Sequence, residues 1–100
     1  VGMAGRRGVS YSLTPRQADL LRFIAGYIEA HGVAPDSDEM ARAMGRQQRG
    51  GSTHGMLLAL EERGHIRRLP NRARAIEVLH KPPIPRGPNG EPLYFVRVAV

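Results

Sequence analysis

The sequence predicts an α+β fold in which three short helices precede a small two-stranded sheet. Three segments, which begin near Thr14, Asp36 and Ser52, repeat apolar side chains at the spacing of an α-helix. Two β-prone segments, residues 66–69 and 75–79, follow on either side of a turn-forming connection. The chain has 100 residues, enough for one domain with one modest core, so we expect a single folded unit.

The first helix is predicted to begin after Thr14. Thr14 is the N-cap, Pro15 takes the first helical position, where its missing N–H costs nothing, and Gln17 completes a capping box. Five apolar residues then follow at helical spacing before His31 and Gly32 end the helix: Leu20, Leu21, Ile24, Tyr27 and Ile28. We interpret Tyr27 as an aromatic residue at the edge of the core, and His31 as a surface residue rather than a ligand.

The second and third helices are joined by a tight polar turn. Asp36 and Glu39 form a second capping box, and Gly45 ends that helix. The turn, residues 46–51, is rich in Arg, Gln and Gly. The third helix is predicted to run from Ser52 to Gly64, with Met56, Leu57 and Leu60 facing inward. Two short helices joined in this way are typical of a helix-turn-helix, whose second helix enters the DNA major groove.

The two β-prone segments predict a wing. Ile66 to Leu69 and Ala75 to Leu79 flank the connection 70–74, which has turn chemistry and carries Arg72 and Arg74. Such a loop can follow the phosphate backbone or enter the minor groove, where the negative potential attracts Arg. We therefore predict a three-helix winged helix-turn-helix over residues 13–80.

The two ends of the chain have different compositions from this central part. Residues 1–12 are rich in Gly, Arg and Ser, and we expect a mobile arm. Residues 81–92 contain five prolines, and we expect an extended Pro/Gly-rich linker without packed structure. Residues 93–100 form a β-prone tail, which could pair with another copy of the chain, dock on its own domain, or begin a missing structure.

Positive charge is concentrated in one part of the chain. Between Arg42 and Arg74 there are eight arginines against two acids, so this window carries the entire net charge of +6. The bases outside it are balanced by an equal number of acids. A GC-biased genome explains the preference for Arg over Lys but not this clustering. The clustering predicts nucleic-acid binding, for which the bidentate guanidinium group is well suited.

Most other chemistry is disfavoured. The chain has no cysteine, which excludes disulfides, thiolate zinc sites and cysteine nucleophiles. Four histidines lack partners at metal-ligand spacing, and no Ser/His/Asp pattern or phosphate-binding glycine loop is present. We therefore expect neither an enzyme nor a metal or other cofactor. No apolar run approaches the ~20 residues of a membrane span and no signal peptide is visible, so we expect a cytoplasmic protein.

Four segments closely resemble the N-terminal DNA-binding domain of LexA repressors, most of all the alphaproteobacterial form. They are residues 13–17 (LTPRQ), the helix at 36–45, residues 59–64 (ALEERG) and residues 66–78 (IRRLPNRARAIEV). The resemblance implies a repressor of the SOS response that binds double-stranded operator DNA as a dimer. It places Gln48, Arg49, Ser52, Thr53, His54 and Gly55 at base edges. It places Arg46, Gln47, Arg68, Arg72 and Arg74 at phosphates.

This chain departs from the family in two respects. The family continues into a domain that cuts its own chain with a serine and a lysine, whereas the single lysine here, Lys81, has no such partner. We therefore expect no self-cleavage. Gly50, Gly51 and Gly55 occupy positions where the family more often has longer side chains, and Gly55 costs the helix about 1 kcal/mol relative to Ala. The operator sequence therefore cannot be carried over.

Of three hypotheses about function, one is an enzyme, either a peptidase remnant or an unrecognised hydrolase, and the missing catalytic pattern disfavours it. Two others remain. The first is a sequence-specific repressor, with weak self-association through Leu93 to Val100. The second is a protein-interaction module that pairs with LexA-like chains as an antagonist. Salt dependence separates them, because phosphate neutralisation makes DNA binding fall steeply with salt.

Overall fold

The predicted α+β winged helix-turn-helix is confirmed by a computed structural model, which describes residues 13–45, 53–69 and 75–94. The described residues form, in chain order, helix α1 (Pro15–His31), helix α2 (Ser37–Ala43), helix α3 (Thr53–Glu62), strand β1 (Ile66–Arg68) and strand β2 (Ile76–Val78). The predicted arm, residues 1–12, lies outside the described residues.

Helix α1 begins and ends where the sequence predicts. The Thr14 hydroxyl accepts the backbone N–H of Gln17 at 3.1 Å, and the Gln17 side chain accepts that of Thr14 at 3.1 Å. Both bonds satisfy amides that have no partner within the helix. Gly32 ends the helix with a φ of 80°, and its N–H donates to the carbonyl oxygen of Ile28 at 2.7 Å. Glycine adopts this left-handed conformation without a steric penalty.

Helix α2 is short but capped in the same way. The Asp36 carboxylate accepts the Glu39 amide at 2.8 Å, and the Glu39 carboxylate accepts the Asp36 amide at 2.8 Å. Gly45 follows the helix with a φ of 80°. The C-terminal end of α2 is tied to α1, because Arg16 Nη2 donates to the carbonyl oxygen of Met44.

The core lies between the three helices and β1. From α3, the predicted inward residues Met56, Leu57 and Leu60 are all buried. They pack with residues of the other elements into one cluster that includes Leu20, Leu21, Ile24, Met40, Met44 and Ile66. Ser52, the predicted first residue of this helix, lies outside the described residues.

The wing is an antiparallel hairpin. Ile66 pairs with Val78 and Arg68 with Ile76. The strands are slightly shorter than predicted, but the Leu69 N–H donates to the Ala75 carbonyl oxygen at 2.9 Å and extends the hairpin toward its tip. The tip itself, residues 70–74, lies outside the described residues.

Residues 81–94 pack onto α1, and we call them the strap. Ile84 and Tyr94 are buried, and the Leu93 N–H donates to the Pro85 carbonyl oxygen at 2.8 Å. Arg86 and Pro92 form an antiparallel bridge. This packing corrects the expectation of a linker without packed structure over residues 81–92. The prolines do prevent regular secondary structure, but the apolar side chains among them still bury their surface on the domain.

The Tyr94 side chain packs against α1 directly over Gly26. Its ring lies 5.6 Å from that of Phe23 and 6.4 Å from that of Tyr27, measured between centroids. A Cβ atom at Gly26 would lie 2.3 Å from the Tyr94 Cβ, so only glycine allows this approach. The Tyr94 hydroxyl lies 3.2 Å from His31 Nε2, and burial raises the pKa of the phenol. Tyr94 therefore belongs to the core of its own domain.

Charged groups attach the strap to the outer face of α1. Lys81 Nζ lies 3.2 Å from Glu29 Oε1, and Arg86 Nη2 donates to the same oxygen at 3.1 Å. Hydrogen bonds from Arg86 and then Lys81 lower the pKa of Glu29 from 4.5 to about 2. Because the pKa is lowered in the folded state, these pairs stabilise the fold at neutral pH. Their contribution is lost as the pH falls from 4.5 toward 2.

Candidate nucleic-acid interface

The outward face of α3 begins with its first turn. His54, Gly55 and Leu58 are exposed, whereas Met56 and Leu57 between them are buried. Positions 54 and 58 are four residues apart and positions 55 and 58 are three apart, so the exposed residues share one side of the helix. The same helix therefore contacts the core on one side and presents a continuous surface on the other.

Two side chains in the first turn of α1 form hydrogen bonds with the C-terminal ends of α2 and α3. Arg16 donates to the Met44 carbonyl oxygen at the end of α2. The neighbouring Gln17 Oε1 accepts a hydrogen bond from Arg63 Nη1 at 3.4 Å, just beyond the end of α3. The Tyr27 hydroxyl also donates to Glu39 Oε2 at 2.8 Å. These bonds fix α2 and α3 relative to α1, and so fix the direction in which the outward face of α3 points.

Of the predicted base-reading residues, the structure places three together in the first turn of α3. Thr53 is half-buried, and His54 and Gly55 are exposed. The other three base-reading candidates, Gln48, Arg49 and Ser52, lie outside the described residues. Contact with bases stays a prediction for all six.

Among the predicted phosphate-binding residues, Arg68 is described and is already paired. Its Nε donates to Glu61 Oε1 at 3.1 Å and its Nη2 lies 3.0 Å from the same oxygen. A phosphate at Arg68 would therefore compete with a carboxylate on α3. Its neighbour on β1, Arg67, forms an ion pair with Glu77 on β2. The remaining phosphate candidates, Arg46, Gln47, Arg72 and Arg74, lie outside the described residues.

The histidines do not gather into a metal site. Within the described ranges, no group of three or more His, Cys, Asp or Glu side chains could hold a metal ion. His65 is buried, and neither of its ring nitrogens has a hydrogen-bond partner among the described residues. Its ring meets that of His80 edge-on, with the centroids 6.1 Å apart. Of the helices described, none is long and apolar enough to cross a membrane.

Sequence reasoning missed three features of this arrangement. It did not assign Leu58, although its spacing from the buried Met56 and Leu57 already placed it on the outward face. It gave no role to Arg16, which binds the end of α2. It also missed the contact between Gly26 and Tyr94, although a glycine inside a strongly apolar helical segment often marks a close packing contact.

Comparisons with known proteins agree with this geometry. A family model described as the LexA DNA binding domain matches residues 10–75. The LexA repressor of Erythrobacter litoralis is 49% identical over 70 residues, and that of Novosphingobium aromaticivorans is 50% identical over 70 residues. Each match covers 70% of this chain and 30% of the relative. The chain thus spans about 30% of the length of the relatives it matches.

Proposed function

Because this chain belongs to the LexA DNA-binding domain family, we propose that it binds a specific site on duplex DNA and represses transcription there. One observation carries the proposal: α3 exposes His54 and Gly55 in its first turn, and in the sequence this helix is flanked by two arginine-bearing connections. These connections are residues 46–52, before α3, and residues 70–74, at the tip of the wing. The protein would act on DNA in the cytoplasm.

We assign base reading to the first helical turn of α3 and to the connection that precedes it in the sequence. An α-helix fits the major groove, and side chains near its amino end reach base edges. The imidazole of His54 and the hydroxyl of Thr53 can each exchange a hydrogen bond there. Ser52 and Arg49 precede them in the sequence, and we propose that they also contact bases, with Arg suited to guanine.

Phosphate contacts position the helix without reading the sequence. Arg46 directly follows the left-handed Gly45 that ends α2. Arg72 and Arg74 lie in the loop that the Leu69–Ala75 hydrogen bond closes. Arg67 and Arg68 are each paired with a glutamate, so we assign the phosphate contacts chiefly to the arginines of the turn and of the wing tip. We expect these two groups to contact the backbone on either side of the groove.

Replacing Ser52 and His54 with alanine tests the base-reading surface. We expect a loss of roughly 1–3 kcal/mol for each true base contact, with non-specific binding nearly intact. Fluorescence anisotropy on the preferred duplex and on a scrambled duplex measures both quantities. His80→Ala, an exposed histidine after the wing, is the control and should leave discrimination unchanged. If the double variant discriminates as well as the wild type, α3 does not read bases.

These 100 residues are proposed to bind DNA without cutting their own chain. A lysine that assists a serine nucleophile must lie beside that serine. Lys81 instead lies 3.2 Å from the Glu29 carboxylate and forms an ion pair with it. The only lysine of the chain is therefore a structural partner of α1.

We also propose that two copies bind adjacent half-sites. One small module buries only about 600–1,000 Å² of protein surface on DNA, which gives limited affinity. Two associated copies bind more tightly, because the first copy raises the effective concentration of the second at its half-site. The predicted pairing segment is Leu93 to Val100, and because Tyr94 is buried in its own domain, we assign the contact mainly to residues 95–100, with the exposed Leu93 beside them.

A chain shortened after Tyr94 tests this pairing and keeps every described residue of the core. We expect the truncation to abolish any dimer in sedimentation and to lower cooperativity on a duplex with two half-sites. Equal association and cooperativity with and without residues 95–100 would show that the tail plays no part.

A further inference from the structure

Leu58 is an exposed apolar residue on the outward face of α3. Its exposed fraction is 43%, whereas Met56, Leu57 and Leu60 on the same helix are at most 9% exposed. The other large apolar side chains of comparable exposure within the described ranges lie in connections or in the strap, namely Val33, Leu79 and Leu93. Only Leu58 lies on a helix, and on the same face as His54 and Gly55.

We propose that Leu58 contacts the methyl group of a thymine in the major groove, and so contributes to the choice of DNA site. This inference rests on the proposed function, because it assumes that α3 enters the groove. Position 58 lies about one helical turn, 5.4 Å, beyond position 54. A helix that brings His54 to one base pair therefore carries Leu58 to a neighbouring step along the groove.

The chemistry of Leu58 selects this target over the other groups of DNA. The isobutyl group has no hydrogen-bond donor or acceptor and no charge, so it gains nothing from phosphates, sugars or the polar base edges. The thymine C5-methyl is the apolar group that the major groove offers, and apolar side chains discriminate thymine by contacting it. Removal of both groups from water favours the contact.

Two neighbours define the space in which this contact forms. Gly55, three residues before Leu58, has no side chain, so the helix backbone can approach the bases closely beside it. Glu62, four residues after Leu58, is exposed and negatively charged. Phosphates would repel its carboxylate. We therefore expect the part of α3 that contacts DNA to end near Leu58, before Glu62.

Uracil substitution tests the contact directly, because deoxyuridine differs from thymidine only by the methyl group. Duplexes retained by the wild type from a random pool define the site, and each thymine in it is then replaced by uracil. At one position we expect wild-type affinity to fall roughly fourfold, the ratio expected for one buried methyl group. Leu58→Ala should bind the two duplexes equally well.

Leu93→Ala is the matched control, because Leu93 is 45% exposed but lies in the strap. It should keep the wild-type ratio of thymine to uracil binding. The proposal is overturned if no thymine shows a methyl effect, or if Leu58→Ala keeps the wild-type ratio. An equal loss on both duplexes would also overturn it, and would instead assign Leu58 to another contact.

These outcomes separate the proposal from the function on which it rests. If the wild type selects a site and His54 matters but no methyl effect is found, only the role of Leu58 is wrong. If the wild type selects no site at all, both the role of Leu58 and sequence-specific binding are wrong. Thermal unfolding of Leu58→Ala should match that of the wild type, since an exposed side chain contributes little to stability.

Discussion

Tyr94→Ala is expected to destabilise the domain by about 3–5 kcal/mol, the range for removing a large aromatic side chain from a core. Tyr94 is 6% exposed and packs against Phe23 and Tyr27 over the bare backbone of Gly26. Its removal leaves a cavity that the strap cannot fill. Such a loss is a large part of the 5–15 kcal/mol that typically stabilises a domain. Urea unfolding followed by circular dichroism measures it.

Two further variants show whether the loss comes from the contact at Gly26. Gly26→Val should also destabilise the domain, because even the Cβ atom would overlap the Tyr94 side chain. Leu93→Ala, at the adjacent exposed position, should cost less than about 0.5 kcal/mol. If Tyr94→Ala costs no more than Leu93→Ala, the strap is not docked in solution.

The second large effect is expected on DNA binding. Four single variants test the phosphate contacts. Each should reduce the slope of log affinity against log salt by about one unit: Arg46→Ala, Arg49→Ala, Arg72→Ala and Arg74→Ala. The reason is that each arginine placed at the DNA, whether at a phosphate or, as proposed for Arg49, at a base edge, displaces a condensed counterion. Together the four changes should weaken binding to any duplex by on the order of a thousandfold at physiological salt. Anisotropy titrations at several salt concentrations measure the slope.

Arg22→Ala is the appropriate control for these variants. Arg22 Nη2 pairs with Asp19 on α1 at 3.2 Å, and Arg22 lies outside the arginine-rich window of the sequence. Arg16 is unsuitable as a control because it holds the Met44 carbonyl oxygen, so its removal would disturb the entry to the turn. An equal reduction of the slope by Arg22→Ala would mean that the overall charge, and not the turn and wing, drives binding.

The helix boundaries could be predicted from sequence because their causes are local. Thr14 and Gln17 are three residues apart, as are Asp36 and Glu39, and each pair forms its capping bonds whatever the rest of the chain does. Helical spacing likewise identified Met56, Leu57 and Leu60 as core residues. Glycines 32, 45 and 64 adopt a left-handed conformation at turns. Their positions could be predicted because glycine, which has no Cβ atom, adopts this conformation without a steric penalty.

The contacts that sequence reasoning missed join residues far apart in the chain. His31 and Tyr94 are 63 positions apart, and Arg16 and Met44 are 28 apart. No local pattern specifies such pairs, and the proline content of the strap indicated the opposite of packing. In the candidate interface, the structure gives the exposure of three residues of α3 that are predicted to read bases, Thr53, His54 and Gly55. The turn and the wing tip rest on charge pattern and family resemblance.

Selection from a pool of random duplexes tests sequence-specific binding most directly. The wild-type chain is incubated with the pool, retained DNA is sequenced, and binding to the recovered sequence and to its scrambled version is compared. We predict one shared sequence motif, bound roughly 10³-fold more tightly than the scrambled duplex at physiological salt. Affinity for both should fall steeply as salt rises. Retained duplexes without a shared motif, bound equally at low and high salt, would contradict the assignment of this domain to DNA.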